Sequence, residues 1–96
     1  MALYKSIDKD NEAATIEVEN PRYIEWIHFS YNAVPTDGYL QIALDDTTLY
    51  KQYITQGGPG PVPFADKLAM TGDGTLIITL AAGGAGVKGC LVASIN

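Results

Sequence analysis

From residue 14 onward, short runs of β-branched, aromatic and leucine residues recur at roughly ten-residue intervals, each closed by Gly, Pro, Asn or Asp. No segment longer than a few residues has a helical period in that stretch. Such a chain can build a core only by folding the runs as strands and pressing two apolar sheet faces together. Thr15-Ile-Glu-Val-Glu19 alternates with period two, and Asn20-Pro21 ends it. Residues 23–31 form the strongest strand candidate, dense in aromatic and β-branched side chains. Strict alternation places Ile24, Trp26, His28 and Ser30 on one face, with Tyr23, Ile27, Phe29 and Tyr31 on the other. Both faces carry apolar groups, so one packs inward while the other meets a loop or another subunit.

Residues 39–44 put Leu40, Ile42 and Leu44 on one face, and Asp45-Asp46 forms a tight hairpin connection to residues 48–54. Gly57-Gly-Pro-Gly-Pro-Val-Pro63 cannot be a central strand, because its prolines remove ladder donors. It reads as a stiff crossover between sheets, with Phe64 at its end as a possible docking group. Residues 67–70 make a short strand, and Thr71-Gly-Asp-Gly74 carries a hairpin-turn signal. Residues 75–80 are a continuous apolar run, which predicts burial on both faces. A small-residue turn over 81–86 then leads to a last strand over 87–95. The expected fold is all-β: an antiparallel, jelly-roll-like β-sandwich of about seven strands over residues 14–96, preceded by a polar N-terminal arm over 1–13.

A chain of 96 residues is one domain with a thin core, burying roughly 60–65% of its unfolded surface. Hydrophobic residues make up 47% and charged residues only 18%, which leaves much uncharged surface to lie against a neighbour. The formal charge is −5, and the basic residues Lys5, Lys9, Arg22, Lys51, Lys67 and Lys88 form no run. Nucleic acid and anionic membranes are therefore excluded as expected partners, since both need clustered cations. Cys90 is the only cysteine, so no internal disulfide forms, and its apolar surroundings predict a buried, inert thiol. No apolar run is long enough for a signal peptide or a membrane span, so the chain is expected to stay soluble where it is made.

Three chemical motifs fail on inspection. Gly84-Ala-Gly86-Val-Lys-Gly89 matches a dinucleotide fingerprint, but β-formers follow it where the phosphate-binding helix has to start. Asp8, Asp10, Glu12 and Glu19 have calcium-loop spacing, yet Ala13 stands where the loop requires Gly. His28 is the sole histidine and no base–nucleophile pair is evident, while Glu25 has no second carboxylate to work with across a cleft. Asp45 and Asp46 are adjacent and serve a turn. The expectation is a protein that is not an enzyme, with no catalytic, cofactor-binding or metal-binding residues.

The segment from Gly57-Gly-Pro-Gly-Pro to Thr75-Leu-Ile-Ile-Thr-Leu-Ala-Ala-Gly-Gly-Ala-Gly-Val-Lys-Gly-Cys-Leu resembles small structural proteins of tailed bacteriophages, over residues 57 to about 93. That resemblance implies a virion component, a capsid decoration or cement protein on the capsid surface, synthesised in the host cytoplasm. Its implied partners are the major capsid protein and copies of itself, as a homo-oligomer with a trimer favoured. The candidate interface comprises Tyr4, Trp26, Tyr31, Pro59, Pro61, Pro63 and Phe64. The alternative is a carbohydrate- or receptor-binding β-sandwich module of a tail apparatus, which needs exposed aromatics on one face. Of the six tyrosines, most suit strand packing, and Trp26, Tyr31 and Tyr53 are the candidate sugar-stacking residues.

Overall fold

The computed structural model of the protein describes residues 2–56, 60–61, 68–70 and 72–96. Among them are nine strands and no helix: β1 (Ala2–Asp10), β2 (Ala14–Glu19), β3 (Tyr23–Tyr31), β4 (Gly38–Leu44), β5 (Thr47–Ile54), β6 (Gly60–Pro61), β7 (Leu68–Ala69), β8 (Thr75–Leu80) and β9 (Lys88–Ile95). They form two antiparallel sheets. The first runs β1-β9-β3-β6, with β7 also paired to β3, and the second runs β2-β8-β4-β5. The chain repeatedly crosses between sheets, and the result is a jelly-roll-like β-sandwich.

The core lies where the two inner faces meet. Ile24, Ile27, Leu91 and Ala93 from the first sheet pack against Leu40, Ile42, Leu76, Ile78 and Leu80 from the second, all completely buried. Alternation along β8 is strict: Leu76, Ile78 and Leu80 point inward, while Ile77 faces out and is 36% exposed. The expected burial of both β8 faces is therefore corrected, because nothing among the described residues covers the outer side of the second sheet.

Residues 2–10 also depart from expectation. They are not an arm but the edge strand β1, in register with β9 from Ala2↔Ile95 to Asp10↔Lys88. Tyr4 and Ser6 turn inward opposite Ala93 and Leu91, whereas Leu3, Lys5 and Ile7 are exposed. A register break between Ser6 and Lys9, with Asp8 at a φ of 56°, bends this edge. Such a bulge and its flanking lysines discourage further strand addition.

The Asp45-Asp46 hairpin forms as expected, with both residues left-handed at φ 48° and 64° and Leu44 closing on Thr47. The anticipated hairpin around Gly72–Gly74 does not form. β7 pairs with β3 while β8 belongs to the other sheet, so this turn is a crossover. A polar cluster pins it: Thr75 N donates to Asp45 Oδ1 at 3.0 Å, and Asn20 N donates to Gly74 O at 2.7 Å. Gly74 has a φ of 97°, and a Cβ there would lie 2.7 Å from Asp45 Cγ. Gly74→Ala is therefore expected to lower stability by about 1–2 kcal/mol through backbone strain and displacement of Asp45, read as a lower thermal midpoint with an unchanged circular dichroism spectrum.

Within Gly57–Pro63, the described pair Gly60–Pro61 lies at the outer edge of the first sheet, opposite Phe29 and His28. That placement agrees with the confinement of proline to sheet edges. Gly84 to Val87 is a β-turn closed by Val87 N donating to Gly84 O at 3.0 Å, with Gly86 at φ 77°. It leads directly into β9, so no helix starts at the glycine-rich fingerprint. No helix among the described residues is long and apolar enough to cross a membrane.

Candidate functional site

Of the expected interface residues, the described side chains Tyr4, Trp26 and Tyr31 do not share one surface. Pro59, Pro63 and Phe64 fall outside the described residues, and Pro61 is described only through its backbone pairing with His28. Tyr4 is half-buried against the core, which removes it from the outer surface. Tyr31 is a core residue, 6% exposed, whose hydroxyl donates to the Ala81 carbonyl at 2.6 Å. It is neither an interface nor a sugar-stacking residue.

The glycine-rich segment explains that burial. A Cβ on Gly83 would lie 3.0 Å from Tyr31 Cδ1, and one on Gly89 would lie 3.4 Å from its Cε1, so bare backbone forms the bed of the ring. Burial pushes the Tyr31 phenol from its ordinary 10.0 up to about 12, against a smaller pull from a Tyr39 backbone hydrogen bond.

Trp26 does lie on the outer face of the first sheet, at 36% exposure, with His28 edge-on at 5.1 Å between ring centroids. His28 is exposed there rather than set in the core. A shallow depression of about 110 Å³ lies alongside, lined by His28, Phe29, Ser30, Cys90 and Val92. Cys90 is half-buried on this outer face and faces Asp8, whose N–H lies 3.5 Å from its sulfur. Glu25 occupies the register break in β3, and its Oε2 is buried without a partner among the described residues. The acids with calcium-loop spacing do not converge, and no cluster able to hold a metal ion occurs among the described residues.

A more developed site lies on the opposite side of the molecule, at one end of the β4–β5 hairpin. Tyr39 and Tyr53 are directly paired across the strands, on the outer face of the second sheet. Tyr53 is 73% exposed, more than any other large hydrophobic side chain among the described residues. Lys51 extends its ammonium to 4.4 Å from the Tyr39 ring centroid and 5.2 Å from that of Tyr53, within cation–π range of both. These three residues, with Thr36, Asp37 and Thr55, line an open depression of about 330 Å³, at the lower end of the roughly 300–1,000 Å³ of ligand pockets.

The scaffold holds this depression in place from behind. Gly38 admits Pro35 to close packing, since a Cβ there would sit 2.8 Å from Pro35 Cγ. Thr36 N donates to Gly83 O at 2.8 Å, and Ala81 N donates to Tyr39 O at 2.9 Å. The buried Tyr31 hydroxyl holds the same Ala81 unit. The rim strand and the loop carrying Asp37 are thus tied to one glycine-rich segment. Chemically the arrangement offers two aromatic faces, a carboxylate acceptor, an ammonium donor and hydroxyls. Those are the groups that stack on an apolar ring face and bond its equatorial hydroxyls.

Of the three sugar-stacking candidates only Tyr53 belongs to this site. Tyr39 and Lys51 were not singled out, because a two-residue turn closing on Leu44 and Thr47 pairs Tyr39 with Gln52 in an unbroken ladder. Instead Leu49 is an extra residue in β5: Ala43 pairs with Thr48 but Ile42 pairs with Tyr50. That bulge advances the register by one and brings Tyr53 opposite Tyr39.

No known family model matches the chain, and no curated protein sequence matches it. Similar architectures occur among solved structures. A carbohydrate-binding module, CBM36 in complex with calcium and xylotriose, superposes with a TM-score of 0.52 at 8% identity, covering 100% of this chain and 89% of that one. The CBM36-1 domain of a multidomain xylanase from the hindgut metagenome of Trinervitermes trinervoides gives 0.51 at 8% identity, covering 97% of each chain. A CBM4 structure gives 0.50 at 12% identity, covering 98% of this chain and 68% of that one. At these identities the likeness is one of fold, and the chain shares the β-sandwich architecture of those modules.

Proposed function

We propose that the protein is a non-catalytic carbohydrate-binding β-sandwich module, and that its site is the Tyr39–Tyr53 depression. The observation that carries this reading is the cross-strand tyrosine pair: Tyr39 and Tyr53 lie directly opposite each other on a sheet face that no described residue covers, and Tyr53 is 73% exposed. Exposed aromatic rings are expensive to leave in water and are natural platforms for the apolar faces of sugars. Asp37 and Lys51 supply an acceptor and a donor at the same depression, as recognition of neighbouring hydroxyls requires. The fold shared with carbohydrate-binding modules is compatible with this role and supports it at the level of architecture.

A panel of immobilised glycans probed with the intact protein tests the reading. Retention of one glycan class is expected, competed by the free sugar. A panel with no retention at high protein concentration would contradict it.

The virion reading keeps one observation in its favour. The outer face of the first sheet exposes Leu3 (60%), Ile7 (49%) and Trp26 (36%), an apolar surface suited to a protein neighbour. In that reading the face would lie against a capsid protein or another copy of the chain. The two readings use opposite faces of the sandwich, so a map of the bound surface separates them.

A further inference from the structure

The tyrosine pair does not stand alone on its face. Register across the second sheet aligns Lys51 with Gln41, Gln41 with Thr79, and Thr79 with Thr15. Those four polar side chains form one row across all four strands, next to the Tyr39–Tyr53 row. Three inter-strand steps of ~4.8 Å give the row a length of about 14 Å. Gln41 Nε2 donates to Thr48 Oγ1 at 3.2 Å, which holds the amide in one orientation. A buried sheet face would be apolar here. Instead no described residue covers this face, and the central pair of the row, Gln41 and Thr79, are uncharged hydrogen-bonding groups, with Ala43 and Ile77 as the apolar pair of the adjoining row.

Charge is confined to the two ends. Lys51 stands at the tyrosine end, while Glu17 and Glu19 lie on β2 at the other, with Glu19 accepting the Thr75 hydroxyl at 3.0 Å. The middle of the row carries no formal charge.

We propose that the second sheet's outer face is a track for an extended, uncharged oligosaccharide, which stacks on Tyr39 and Tyr53 and crosses the strands over Gln41 and Thr79 to Thr15. The track rests on the carbohydrate-binding reading of the tyrosine depression and adds a length requirement and a charge preference to it. A single sugar fills the depression, but only a chain reaches Thr79 and Thr15. The hydroxyl and amide groups along the row donate to and accept from sugar hydroxyls without demanding a charge. The carboxylates at the far end repel a polyanionic chain.

Titration calorimetry of the intact protein with xylo- and cello-oligosaccharides, from monomer to hexamer, tests the proposal. Affinity is expected to rise about tenfold or more with length and to level off once the chain spans four strands. Thr15→Ala, on an exposed position of an edge strand, is expected to weaken the longest ligands severalfold and leave the shortest unchanged. Oligogalacturonate of matched length is expected to bind more weakly than the neutral series. Length-independent binding that is still lost in Tyr53→Ala would overturn the track and leave the tyrosine site standing. Tighter binding of oligogalacturonate would overturn the uncharged-ligand assignment. Absence of binding by every oligosaccharide would overturn both the track and the function on which it rests.

Discussion

Replacing Tyr53 with alanine is expected to abolish measurable glycan binding while leaving the protein as stable as before. Tyr53 is 73% exposed and its ring contributes nothing to the core, so folding has little to lose. Binding has much to lose, because buried aromatic anchors at recognition sites are worth about 2 kcal/mol or more, roughly thirtyfold in affinity. Tyr39→Ala should weaken binding similarly but also cost some stability, since the Tyr39 side chain is half-buried. Lys51→Met separates two contributions. An apolar stem of similar length is kept, while the ammonium that lies 4.4 Å from the Tyr39 centroid is removed. If the ammonium donates to the sugar, this variant binds more weakly than the wild type but better than Tyr53→Ala. Calorimetry and thermal melts on the three variants check all of this together. A Tyr53→Ala protein that binds as tightly as wild type would remove the site from consideration.

The second large effect concerns Tyr31 and appears at alkaline pH. Its phenol is raised to about 12 in the folded protein, chiefly by burial. The folded value lies above the unfolded one, so the stabilisation is fully present below pH 10. It is lost as pH rises through 12, because the unfolded chain releases a proton that the folded chain holds. Allowing for solvent near the hydroxyl, the loss comes to about 1–2 kcal/mol. Tyr31→Phe is expected to remove that part of the alkaline sensitivity. It also leaves the Ala81 carbonyl without its donor, at a cost of ~1–3 kcal/mol at neutral pH. Denaturant titrations of both proteins between pH 7 and 12 read the two effects separately. Parallel stability curves for Tyr31→Phe and wild type across that range would show that the Tyr31 hydroxyl is not the group responsible.

Much of the sandwich was legible in the pattern of the chain. β3 runs over the residues that its β-branched and aromatic density marked, and the Asp45-Asp46 turn closes the hairpin it indicated. Edge strand β1 escaped because an edge presents few apolar groups. Lys5, Asp8, Lys9 and Asp10 read as a solvated arm, and only Tyr4 and Ser6 turn inward. β8 looked buried on both sides because apolar residues do not reveal which face is left uncovered.

The site was less legible than the fold, for a specific reason. Two bulges move side chains relative to strict alternation. The register break at Glu25 places Ile24 in the core with Ile27, while Trp26 points out. The extra residue at Leu49 sets Tyr53 against Tyr39. Neither bulge carries a glycine or proline to announce it, so periodicity set Ile24 beside Trp26 and left Tyr39 unmarked. Tyr31 lies, as strict alternation has it, on the same face as the buried Ile27 and Phe29, and its place among the candidate surface residues came from its aromatic character rather than from its period. The glycine-rich stretch over 81–89 did carry a signal, though of a different kind. Its missing side chains make room for the Tyr31 ring, and its backbone groups hold the tyrosine rim in place, which is packing work.

The most direct test of the account is a map of amide chemical-shift changes as a neutral oligosaccharide is titrated into the labelled protein. The carbohydrate-binding account predicts that the changes cluster on β4 and β5 around Tyr39, Lys51 and Tyr53, extend across Gln41 and Thr79, and spare Trp26 and His28. Changes confined to the Trp26 face, or none at saturating sugar, would contradict it.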